Sequence, residues 1–168
     1  MGYSLLSIAT HEAGHAVASL ALNCREVRGI SLGRRPDLPG MARVTFTPCP
    51  DWACASATKN DPQSLDFWQD YLVVTLAGPA AMERLHPHAA RLAHAAGDDA
   101  EVYRLIRETN GCPGREWWPI CEEHYQDLKA GARELVTQKW AAVQSIAAAL
   151  AKVRDLTGAE IVDLYNAA

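Results

Sequence analysis

Two imidazoles and a carboxylate fall within five residues near the start of the chain, in His11-Glu12-Ala13-Gly14-His15. On a helix, at about 100° per residue, His11 and His15 project from one face a turn apart, close enough to share a tetrahedral metal ion. Glu12 stands beside them. Zinc held by two such histidines lowers the pKa of a coordinated water towards neutrality, and an adjacent carboxylate can take that water's proton and later hand it to a leaving amine. This His-Glu-x-x-His spacing thus describes a hydrolase centre, provided that the segment is helical and a third ligand is supplied from elsewhere.

The first condition is met by the flanks. Tyr3 to Thr10 before the motif and Ala16 to Leu22 after it are rich in helix formers and apolar residues, with no proline and only Gly14 as a weak point. Two histidines and a glutamate inside an apolar helix are costly unless compensated, and a metal ion compensates them. For the third ligand the chemically interesting stretch is Gly97-Asp98-Asp99-Ala100-Glu101, followed by Val102, Tyr103, Leu105 and Ile106 at helical spacing. Asp98 can be an N-cap completed by Glu101, and either Asp98 or Asp99 can be the carboxylate ligand, because the two straddle the apolar face about equally. His86 and His88, at the end of another helix, are ligand candidates on spacing alone, although surface histidines at a helix end are commoner.

These residues need elements to position them. The first helix is expected from about Ser4 to Leu22, ending near Asn23, which tolerates a left-handed cap. Residues 26 to 47 read as a small antiparallel ribbon, with Val27, Ile30 and Leu32 in one strand and Val44 and Phe46 alternating in the other. Such a ribbon is either a structural hairpin or an edge that holds an extended peptide beside the metal helix. Pro48 to Pro62 reads as an irregular loop, and Gln63 to Leu85 as a helix with Leu65, Trp68, Leu72 and Leu76 on related turns and a kink from Pro79 near Thr75. Gly111-Cys112-Pro113-Gly114 is a turn. Ile120 to Arg154 reads as one long helix with an apolar spine from Leu128 to Leu150, and Thr157-Gly158-Ala159-Glu160 as the capping box of a last short helix. The fold class is therefore mostly α (α+β), with residues 1–168 forming one domain.

Composition narrows the function classes. A formal charge of −4 over 168 residues gives no broad basic surface, so nucleic acid is not an expected partner. The longest apolar run, Ala141 to Ala151, is interrupted by Gln144 and Ser145 and is too short for a membrane span; no signal-peptide pattern opens the chain. A cytoplasmic location is expected. The five cysteines, Cys24, Cys49, Cys54, Cys112 and Cys121, are odd in number and include no Cys-x-x-Cys pair, which argues against a disulfide framework or a zinc knuckle.

Several segments, in the same order, resemble the FtsH-like zinc metallopeptidases. Thr10 to Ala16 resembles that family's metal helix, Leu76-Ala77-Gly78-Pro79-Ala80-Ala81-Met82-Glu83 its Ala-Gly-Arg-Ala-Ala-Glu-Glu helix, and Gly97-Asp98-Asp99 the segment that supplies its aspartate ligand. Trp140, Val143, Ala147 and Leu150, followed by Leu156 to Ile161, are similar to its closing helices. The resemblance implies a mostly helical zinc endopeptidase, with Zn2+ held by His11, His15 and one of Asp98 or Asp99, Glu12 as general base, and polypeptide as substrate. The chain differs from the family's usual members in having neither a spanning segment nor a phosphate loop ending in Lys-Ser or Lys-Thr, so it is expected to be a stand-alone relative, an excised domain, or a peptidase served by an unfoldase in trans or by homo-oligomer assembly. Pro79 replaces the family's arginine and Met82 its first glutamate; Glu83 is one residue and about 100° further round the helix. The alternative expectation, from those changes, is an inactive peptidase-like module that binds extended peptides or a partner protein.

Overall fold

The computed structural model describes residues 4–33, 42–51, 62–87, 95–109 and 118–168. In chain order its elements are α1 (Leu5–Leu22), β1 (Val27–Ser31), β2 (Arg43–Phe46), α2 (Pro62–Leu85), α3 (Ala95–Thr109), α4 (Trp118–Gln138), α5 (Trp140–Val153), β3 (Asp155–Thr157) and α6 (Gly158–Asn166). Helices dominate and one three-stranded sheet accompanies them, so the fold is mostly α (α+β) as expected. The heart of the expected loop at 52–61, His88 and the turn at 111–114 lie outside the described residues.

Local chemistry fixes both ends of α1. The Ser4 side chain accepts the Ser7 N–H, and Asn23 takes the left-handed conformation at φ 51°. The N–H groups of Asn23 and Cys24 then return to the carbonyls of Leu20 and Ser19, which is the paired closure of a Schellman turn. Between these caps the helix is enclosed mainly by small side chains: Ala9, Ala13, Ala16, Val17 and Ala18 are shut off from solvent. It packs chiefly on α2 and α5, in the middle of a contiguous apolar cluster to which every helix contributes.

The expected ribbon is present, with Ile30 opposite Val44 and Ser31 opposite Arg43 in antiparallel register. The sheet has a third member. β3 pairs with the other side of β1, placing Leu156 opposite Ile30, and gives the order β2-β1-β3 with β2 at an edge. Three residues with one apolar position carry no periodic signal, so this strand is set by its distant partner rather than by its own sequence. The capping box directly after it is as expected, with the Thr157 hydroxyl accepting the Glu160 N–H and the Glu160 carboxylate accepting the Thr157 N–H at 2.8 Å.

Two helical expectations change. The stretch 120–154 is two helices, because Lys139 adopts φ −104°, ψ 19° and redirects the chain. Neither glycine nor proline marks the break. It lets α4 lie along α2 while α5 lies along α1, each with its own apolar stripe. The other change is at α3, which begins at Ala95, so Asp98 sits inside the first turn instead of capping it, and Glu101 pairs with Arg104 at 2.6 Å. α2 keeps Pro79 within one helix, and of the residues expected on related turns Leu72 and Leu76 are buried while Leu65 is largely exposed.

Glu83 clamps α2 to α4, with its carboxylate 3.1 Å from Lys129 Nζ and 2.8 Å from Arg133 Nε. Burial alone would raise its pKa, but the hydrogen bonds from Arg133 and Lys129 outweigh that and hold it below the usual carboxylate range. The folded state therefore keeps Glu83 ionised where the unfolded chain protonates it. Its contribution to stability is present above the ordinary glutamate range and is lost as the pH falls through the depressed folded value. Urea unfolding between pH 7 and pH 3 should show a smaller acid loss of stability in Glu83→Gln than in the wild type; identical acid limbs would remove Glu83 from the clamp.

Candidate metal centre

The motif faces inward from the middle of α1, and its polar side chains must be satisfied there. Thr10 turns back to its own helix, its hydroxyl donating to Leu6 O at 2.8 Å. His15 instead reaches across to α2, with Nδ1 2.8 Å from Val74 O. A carbonyl only accepts, so Nδ1 carries the proton and Nε2 is left with its lone pair. The pKa of His15 is lowered, first by burial and then by His11, with Asp98, Glu12 and the Val74 bond opposing. A neutral imidazole aiming a bare nitrogen inward is the form a metal ion requires.

The bare nitrogen has company. His11 Nε2 lies 3.1 Å from His15 Nε2. Asp98 Oδ2 lies 3.1 Å from His11 Nε2 and 3.7 Å from His15 Nε2. A proton on His11 Nε2 can point at only one of the other two atoms, whereas a cation between them satisfies all three. Asp98 Oδ2 is sealed from solvent and makes no hydrogen bond of acceptable geometry despite these neighbours. His11, His15 and Asp98 form the one group among the described residues whose ligand atoms all lie within 4.8 Å of one another. Two imidazoles and a carboxylate are a donor set suited to a first-row divalent ion.

Of the two aspartates left open by periodicity, Asp98 joins the histidines and Asp99 does not. Asp98 continues the line of Val102 and Ile106, both fully enclosed residues of α3, at intervals of four. Asp99 continues the line of Tyr103, which is less buried, and accepts the Tyr125 hydroxyl from α4 at 2.7 Å. His86 is also outside the donor set; its Nε2 lies 2.8 Å from the Ser7 hydroxyl near the start of α1.

Glu12 borders the cluster. Burial raises its pKa, His15 lowers it, Asp98 raises it, and the backbone N–H of Val44 in β2 lowers it by hydrogen-bonding the carboxylate. The backbone of the edge strand therefore acts on Glu12. Val44 and Val74 act through their backbones, which no sequence motif reports.

Gly78 has a requirement of a different kind. A β-carbon there would fall onto the His15 ring, and one at Gly14 would stand 2.5 Å from Ala77 O and 2.9 Å from Ala81 Cβ. The glycines let α1 and α2 approach until the imidazole lies directly over the α2 backbone. Gly78→Ala should displace the His15 ring and weaken divalent-metal binding by about 10- to 100-fold, the usual range for support of a metal ligand. Isothermal titration on variant protein shown by circular dichroism to be folded measures this; wild-type affinity would refute the packing requirement.

No protein-family model matches the chain, and no curated protein matches it in sequence.

Proposed function

We propose that this chain is a zinc-dependent endopeptidase of the FtsH-like kind, hydrolysing peptide bonds. The observation that carries the reading is the convergence of His11, His15 and Asp98 with the Glu12 carboxylate alongside. The spacing of the three donors is compatible with zinc, as with other first-row divalent ions: ligand atoms about 2.0–2.1 Å from a tetrahedral zinc stand roughly 3.3 Å apart. The observed separations are 3.1, 3.1 and 3.7 Å. His11 Nε2, His15 Nε2 and Asp98 Oδ2 would hold the ion. When bound, zinc supplies a Lewis acid that polarises a scissile carbonyl and acidifies water.

The protein's own groups account for the remaining steps. Glu12 is a carboxylate whose burial favours the protonated form, so it can accept a proton from the attacking water and hold it until the amine leaves. Val44 N–H anchors that carboxylate at the edge of the sheet. An extended polypeptide adding to the outer side of β2 would be carried past Glu12 by main-chain hydrogen bonds. Flexible or unfolded polypeptides fit this mode, whether they arrive alone, from an unfoldase acting in trans, or within a homo-oligomer. No helix among the described residues is long and apolar enough to cross a membrane; a cytoplasmic setting is part of the proposal.

One observation favours a second reading, a peptide-binding module without catalysis. Met82 is buried in the position where the family's helix has a glutamate, and Glu83 is spent on Lys129 and Arg133. Glu12→Gln separates the two readings. It should keep one zinc per chain and lose at least about 100-fold of the chelator-sensitive cleavage of casein or a quenched peptide, the scale of a positioned proton carrier. Zinc without cleavage in the wild type selects the binding module, and equal cleavage in the variant removes Glu12 from the mechanism.

A further inference from the structure

α3 delivers a metal donor from its first turn, and its hold on α4 is reciprocal. The Tyr125 hydroxyl of α4 donates to Asp99 Oδ1 of α3 at 2.7 Å. One turn further along, the Tyr103 hydroxyl of α3 donates to Glu122 Oε2 of α4 at 2.6 Å. The two rings lie between these bonds, stacked with centroids 4.3 Å apart and planes 19° apart. Burial first, and then the Asp99 carboxylate, push the Tyr125 phenol upward, so it remains a donor across the working pH range.

Asp98 and Asp99 are neighbours in the first two turns of the helix, about 100° apart around its axis. Val102, Leu105 and Ile106 seat α3 in the core, but from a turn or more beyond Asp98. A carboxylate oxygen stands about 5 Å from a helix axis, so a 20° rotation moves it by about 2 Å, whereas metal–ligand distances tolerate about 0.2 Å. That packing acts from a turn or more away, whereas the Tyr125 hydrogen bond acts on the residue adjacent to Asp98.

We infer that Tyr125, acting through Asp99, fixes the rotation of the first turn of α3 and thereby aims Asp98 at His11 and His15. It is a positioning residue, and the inference rests on the metal-centre reading above. Asp99 is then the fixed point from which its neighbour is aimed. Tyr103 is the internal control, because it shares the ring stack and an interhelical hydrogen bond, but its hydroxyl donates to Glu122.

The experiment measures zinc affinity by competition with a chromogenic chelator, together with the visible absorption of the cobalt(II)-loaded protein, which reports ligand geometry independently of turnover. Tyr125→Phe and Asp99→Ala should each lose about 10- to 100-fold in affinity and weaken the cobalt bands, while Tyr103→Phe and Asp99→Asn, which keeps an acceptor for the phenol, should stay within about threefold. Because Asp99→Ala breaks the same bond from the other side, it reads the inference even if Tyr125→Phe folds poorly. Wild-type affinity and spectra in both Tyr125→Phe and Asp99→Ala would overturn it, as would an equal loss in Tyr103→Phe. If Tyr125→Phe and Tyr103→Phe both bind like wild type while the two Asp99 variants lose alike, Asp99 acts by charge and the positioning role fails. A wild-type protein that takes up no zinc overturns the metal reading itself.

Discussion

The close approach of α1 and α2 is the constraint on which the site depends. Helices that meet through large side chains keep their axes some 8–10 Å apart, and a histidine on one would touch side chains of the other rather than its backbone. Here Gly14 of α1 meets Ala77 and Ala81 of α2, Gly78 of α2 meets His15 of α1, and small buried residues surround both contacts. The ring of His15 can therefore lie on Gly78 and place Nδ1 on the Val74 carbonyl. That single bond fixes ring orientation and tautomer together, and so decides which nitrogen faces His11 and Asp98. The short side chains that look like unremarkable helix formers in sequence are the reason that a buried polar cluster can be held in register.

Burying that cluster works against stability, and its polar atoms are satisfied differently from those of the polar groups around it. Thr10 is satisfied within its own helix, and Ser19 is used up on the turn after α1, donating to Arg25 O at 2.7 Å. Glu83, further along α2, has two cationic partners at the surface. By contrast, His15 Nε2, His11 Nε2 and Asp98 Oδ2 point at one another, although at least two of them are pure acceptors when His15 is protonated on Nδ1 and Asp98 is ionised. Natural chains tolerate such local conflict mainly where function requires it. Among the described residues the buried polar side chains elsewhere are satisfied, which makes this exception informative.

How much could be read from residues alone follows from the range of the forces involved. The motif helix, its end at Asn23 and the Thr157–Glu160 capping box rest on interactions within a few residues, and the ribbon shows as alternation within each strand, so each is visible as spacing. β3 and the break at Lys139 are settled by what the segment packs against, which leaves no local mark. The choice between Asp98 and Asp99 fell between these cases. Counting Tyr103 as simply apolar places the two acids symmetrically about the inner face. Its hydroxyl in fact faces Glu122, the inner line is Val102 and Ile106, and Asp98 is the acid that continues it. A tyrosine's polar end was thus the missing datum, whereas the carbonyl of Val74 and the N–H of Val44 could not have been found in any sequence.

The donors' separation along the chain adds a thermodynamic consequence. His11 and His15 are brought together by one turn of α1, but Asp98 arrives from 83 residues further on and only when α3 is docked. An unfolded chain does not hold these three donors together, so on the proposed reading zinc favours the assembled state by as much as its binding there exceeds that to unfolded cysteines and histidines, and its binding free energy is partly the free energy of holding α3 in place. At a hundredfold excess over the dissociation constant that linkage amounts to at most about 2.7 kcal/mol, comparable to a large core side chain. Metal occupancy and the seating of α3 are then one equilibrium, and the elements that aim Asp98 belong to the stability of the fold as much as to its chemistry.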